Sequence, residues 1–119
     1  MLKIVGTTLA AAAILISAAH AGSPMIRKDV PVAYTDLDLS TEGGARELVG
    51  RIELAAAKAC GGAPLFYPSY NVAPNLAIRE FNTCRANAVT NAINTLNFPM
   101  VHKVFATADK PYLRLASGK

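Results

Sequence analysis

The chain has 119 residues, with 12 Lys and Arg against 8 Asp and Glu, a net charge of +4 and 52% apolar residues. Its basic residues are scattered singly, not gathered in blocks, which argues against a nucleic-acid partner, and its length argues against a second domain. With 2 Cys and 2 His, it holds few side chains from which a metal or nucleophilic centre could be assembled.

The N-terminus reads as an export signal. Met1-Leu2-Lys3 gives a positive start, Ile4 to Ala18 is apolar and uncharged, and Ala19-His20-Ala21 has the small-x-small pattern of a signal-peptidase site. We predict cleavage of residues 1–21, with Gly22 as the new N-terminus. The apolar run is about 15 residues, against the roughly 20 that a helix needs to cross a bilayer, so no stable membrane span is expected after cleavage. The predicted location is the periplasm or the extracellular space, and a mature chain of charge +3 remains once Lys3 leaves with the signal. Residues 22–29 are polar and contain Pro24, which predicts a loose arm. The single domain is expected over 30–119.

Val30, Val32 and Tyr34 alternate with other residues, predicting a short strand over Val30–Thr35. Pro31 lacks an N–H and confines that strand to a sheet edge or a start position. Ser40 and Thr41 are good N-caps and Glu42 puts negative charge in a first turn. Ala45, Leu48, Val49, Ile52, Ala55, Ala56 and Ala59 then recur at helical spacing, predicting a helix over Thr41–Cys60 that Gly61-Gly62 stops. Glu42–Arg46 and Glu47–Arg51 are oriented for i,i+4 ion pairs on its outer face. Gly43 and Gly44 weaken its first turn.

Residues 63–75 hold Pro64, Pro68 and Pro74 with Phe66, Tyr67 and Tyr70, and read as a loop. A second helix is predicted over Leu76–Leu96, with Ala77, Phe81, Cys84, Ala88, Ala92 and Leu96 inward and Asn82, Asn87, Asn91 and Asn94 outward. A short third helix is predicted from Pro99, with Asn97 as cap. Tyr112, Leu113 and Leu115 are read as a short strand that pairs with Val30–Tyr34. The fold class is thus α-rich: a helical hairpin with minor β structure.

Cys60 and Cys84 fall on the inward faces of the two long helices. In an oxidising compartment they are expected to form one disulfide. Closing a loop of about 25 residues stabilises the fold by roughly 3 kcal/mol in the chain-entropy model. Their separation is unlike the close Cys-x-x-Cys of catalytic dithiols.

No catalytic set is legible, and the chain is not expected to be an enzyme or to carry a cofactor. After cleavage only His102 remains, with no motif around it, and it reads as a structural histidine; an exported enzyme would need it beside an acid and a nucleophile. Asp36 and Asp38 are the weak metal candidates. A calcium loop counted from Asp36 would use Asp38, Ser40, Glu42 and Glu47, but its turn-making sixth position is Thr41 and its second half reads as helix. The alternative role for both aspartates is to cap the strand-to-helix turn. Phe66, Tyr67 and Tyr70 form the candidate binding surface, set against a role in sealing the core between the helices.

Val32 to Thr41, with Gly44-Ala45, Leu48, Arg51-Ile52, Ala55-Ala56 and Cys60-Gly61, resembles the UrcA family of small exported bacterial proteins, and Cys84 with Ala88-Val89 and Ala92 resembles that family's second half. The resemblance spans about Val30–Met100. It implies a periplasmic bacterial protein with two spaced cysteines and no catalytic residues. The family's name refers to metal-responsive expression. Residues 109–115 have no counterpart in it. The functional expectation is a structural or binding module of the cell envelope, linked to stress, with an envelope protein as partner. A periplasmic metal-ion binder using Asp36 and Asp38 is the alternative.

Overall fold

A computed structural model describes residues 13–16 and 29–116. The rest of the predicted signal, residues 22–28 of the predicted arm and residues 117–119 lie outside the described residues.

Two strands come first, β1 (Ala13–Ile16) and β2 (Val30–Ala33), paired antiparallel with Ile14 opposite Val32 and Ile16 opposite Val30. Side chains alternate across this small sheet, so Ile16 and Val32 are buried while Leu15, Pro31 and Ala33 face out. β2 falls where the sequence places a strand. Its partner is a correction: β2 pairs with β1, from within the predicted signal, and Tyr112–Leu115 is helical.

The chain enters α1 (Glu42–Ala59) through a tight turn. The Thr41 Oγ1 accepts from the Gly44 amide at 3.0 Å and donates to the Asp38 carbonyl at 2.7 Å, so one hydroxyl serves as N-cap and as tether to the turn. The approach is so close that a methyl group at Gly44 would run into the Asp38 carbonyl, whereas one at Gly43 would meet open space. At the far end the Gly61 amide donates to Lys58 O (3.1 Å) and the Gly62 amide to Ala57 O (2.9 Å). Both glycines sit at φ +95°, the left-handed region that lets the last carbonyls of α1 be satisfied.

Two single 3₁₀ turns, Pro64–Phe66 and Pro68–Asn71, carry the chain to α2 (Pro74–Asn94). α2 starts two residues before the position read from the sequence, because Pro74 takes the first helical position, where a missing N–H costs nothing. Asn82 is also a correction: it is buried, and its amide donates to Ile78 O at 2.9 Å. α3 (Pro99–Thr107) begins at the proline predicted, though Phe98, not Asn97, takes the cap position.

α4 (Pro111–Ala116) replaces the predicted C-terminal strand. Pro111 sets its first turn, and Tyr112 is buried with its ring 4.5 Å from the Arg85 guanidinium. That cation–π contact, with Phe81 on the same arginine at 5.8 Å, docks α4 on α2. The Lys110–Glu53 ion pair, largely shielded from solvent, fixes the entry to α4 onto α1.

The core lies between α1, α2 and α3, with the sheet closing one end. Leu48, Ile52, Val89, Ile93 and Val101 are fully buried there together with Ile16. Cys60 and Cys84 are joined in a disulfide with their Cα atoms 5.9 Å apart, which links the end of α1 to the middle of α2. Among the described residues no helix is long and apolar enough to cross a membrane.

Candidate functional site

The three loop aromatics part company. Tyr67 is buried, at 2% exposure, while Phe66 is 68% exposed and Tyr70 is partly so. The alternation follows from the 3₁₀ turns: Pro64 and Pro68 each start one, and Tyr67 lies in extended backbone between them. The Tyr67 ring therefore turns inward, packs edge-on against Phe81 with centroids 6.1 Å apart, and donates its hydroxyl hydrogen to Cys60 O at 2.8 Å. Burial pushes its phenol up to about 12, and the charge of Glu80 adds to the shift. The cluster thus divides: Tyr67 seals the core, and Phe66 and Tyr70 reach the surface.

Phe66 is not the only exposed apolar side chain on this stretch. Leu65, Tyr70, Val72 (85% exposed) and Leu76 are exposed on the same stretch of chain. Sequence reasoning singled out the aromatics and passed over Leu65 and Val72 in the proline-rich loop and Leu76 in the first turn of α2, although exposed aliphatics there carry the same signal. The loop is held at several points. The disulfide anchors it at Cys60 and Cys84, Tyr67 plugs it inward, and the Ser69 hydroxyl donates to Glu80 Oε2 at 2.6 Å on α2. A methyl group at Gly62 would come into ordinary contact with the Phe66 ring and one at Gly61 with the Tyr67 ring, so the glycine stop of α1 lies close to both aromatics.

The acidic step is occupied by structural partners. The Arg51 guanidinium donates to both carboxylate oxygens of Asp36 at 2.8 Å and to Ala33 O at 2.9 Å, with Glu47 at 3.3 Å as a lesser partner. This fork ties the end of β2 to α1 and holds the Asp36 carboxyl below the usual carboxylate range. Asp38 accepts from the Ser40 hydroxyl and from the Ser40 amide (3.1 Å), which also lowers its pKa. Among the described residues no three His, Cys, Asp or Glu side chains converge as metal ligands.

His102 lies on the exposed side of α3, and its Nε2 donates to Leu96 O at 2.7 Å. That bond tethers the start of α3 to the end of α2. A groove of about 430 Å³ runs between α1 and α3, lined by Val49, Gly50 and Val104 and by charged residues. Those charges include two pairs, Glu42 with Arg46 and Glu53 with Lys110, so the groove offers no isolated charge from these four to a ligand.

Neither a family model, nor a curated protein, nor a solved structure matches this chain.

Proposed function

We propose that the chain is an exported, non-catalytic binding module of the cell envelope, of UrcA-like type, whose partner-binding surface is the loop bearing Leu65, Phe66, Tyr70 and Val72, with Leu76 of the first turn of α2. One observation carries this reading: several exposed apolar side chains stand on a short loop that a disulfide, a buried tyrosine and a side-chain hydrogen bond hold in place. A domain of this size rarely leaves such side chains together in water without a use for them. Fixing the loop in advance lowers the ordering entropy lost on association. Aromatic side chains at the centre of a patch are the usual anchors of protein–protein contacts. Export is supported by the N-terminal pattern and fits an oxidised cysteine pair.

The test is photocrosslinking in intact cells from a probe amino acid placed at Val72, with a second probe on the exposed side of α1 at Gly50 as control. A discrete crosslinked protein in the envelope fraction is expected from position 72 and not from position 50. Phe66→Ser should abolish that adduct while leaving the circular dichroism unchanged. Equal adducts from both probes, or none from position 72, would defeat the reading. N-terminal sequencing of the same material, starting at Gly22, checks export.

A further inference from the structure

We propose that loss of the predicted signal turns β2 into an acceptor for an extended aliphatic segment of another polypeptide, which takes the place that β1 holds in the full chain. The inference rests on the export reading above, since only cleavage vacates that place.

β1 is an integral part of the core. Ile16 is 1% exposed, and β1 lies against both α1 and α2 while it pairs with β2. Cleavage after Ala21 would therefore uncover three things at once: the hydrogen-bonding edge of Val30–Ala33, the slot filled by Ile16, and the helix surfaces beneath it. An open strand edge beside an apolar slot is the feature that strand addition uses, with backbone bonds supplying affinity and alternate side chains supplying selectivity.

No pair of branched aliphatics two residues apart occurs in residues 22–28, so no register of the arm fills both places as Ile14 and Ile16 do. The C-terminal segment with strand-like composition is committed to α4, where Tyr112 is buried beside Arg85. The N-terminal arm mismatches in sequence. A hairpin turning at Lys28 and Asp29 would set Arg27 opposite Val30, in the place of buried Ile16. A turn one residue longer would set Pro24 opposite Val32, in the place of Ile14, without an N–H to give.

The chemistry of the occupant is read from β1 itself. Inward side chains are branched aliphatics two residues apart, Ile14 and Ile16, and the residue between them, Leu15, faces solvent at 66% exposure. The partner segment is therefore uncharged at two alternate positions, antiparallel to β2, and tolerant at the position between.

The experiment uses the mature protein recovered after export, with its disulfide verified by mass. The probe is a synthetic peptide carrying Ala13–Ile16 between solubilising lysines, followed by amide NMR. Saturable shifts are expected at Val30, Val32 and Ala33. A peptide with Ile16→Asp should bind at least about tenfold more weakly, as expected for loss of one fully buried aliphatic side chain. If the mature chain aggregates, the wild-type peptide should restore the monomer. Absent shifts at β2, equal binding of both peptides, or aggregation indifferent to the peptide would overturn the proposal. N-terminal sequencing separates the two readings: a chain beginning at Gly22 that ignores the peptide sinks only this inference, whereas one beginning at Met1 sinks the export reading as well.

Discussion

The two ends of this helical hairpin are closed by different means. At one end, the loop between α1 and α2 is fastened by the Cys60–Cys84 bond and plugged by Tyr67. At the other, the approach to α1 is held by noncovalent contacts only: the Arg51 fork on Asp36 and Ala33, the Asp38 turn under Gly44, and β1. The covalent end displays apolar side chains outward, and its 3₁₀ turns pack on α2. The noncovalent end buries apolar side chains, and part of what buries them lies in the segment predicted to leave. Rigidity and display go together at the first end, and replaceability marks the second.

The largest expected effect breaks the covalent end. Replacing both cysteines by Ala should cost about 3 kcal/mol of unfolding free energy, with a fall in Tm on the order of 10 °C or more, measured by thermal and urea unfolding. Next, a steric break at the noncovalent end: Gly44→Ala should cost about 1–3 kcal/mol because its methyl meets the Asp38 carbonyl. Gly43→Ala should be neutral or stabilising by up to about 1 kcal/mol, since that site is open and helical. If both variants respond alike, the tight crossing over Gly44 is not what closes this end.

A smaller effect is expected from Tyr67→Phe, which leaves the packing but removes the donor to Cys60 O, at about 1 kcal/mol. The smallest effects are those of pH, and they separate the ends by sign. Tyr67 has its pKa raised from 10.0 to about 12. Its neutral form is the one the fold favours, so its contribution is complete below pH 10 and drains away as pH rises toward 12. Asp36 and Asp38 are lowered from 3.8. Their charged forms are favoured, so their contribution is complete above pH 3.8 and is lost as pH falls through their native values. Amide exchange should thus quicken first near Asp36 in acid and first near Tyr67 in alkali. Arg51→Ala should remove the acid effect at Asp36 and leave the alkaline one unchanged.

Legibility from sequence followed the range of the interactions involved. α1 was readable almost to the residue, because its caps, its glycine stop and its periodicity all lie within the segment itself. The disulfide was readable because both cysteines fall on inward helical positions. What escaped depends on contacts distant in sequence. The inward turn of Tyr67 and outward turn of Phe66 require knowing that a hydroxyl meets Cys60 O. The partner of Asp36 is Arg51, 15 residues on, which the helix pattern alone assigns to Glu47. Tyr112-Leu113-Arg114-Leu115 suits a strand or a helix turn equally as a short run, and the choice was made by Pro111 and by the Arg85 face of α2. Ala13–Ile16 reads as the middle of a leader, and nothing local marks it as a strand.

Cys60 contributes its sulfur to the crosslink and its carbonyl to the Tyr67 phenol, so covalent state and loop posture meet at a single residue. Without the crosslink, the loop would be held by the Tyr67 phenol on Cys60 O and the Ser69 hydroxyl on Glu80. Under the function proposed above, recognition through that loop would depend on oxidation of the cysteine pair.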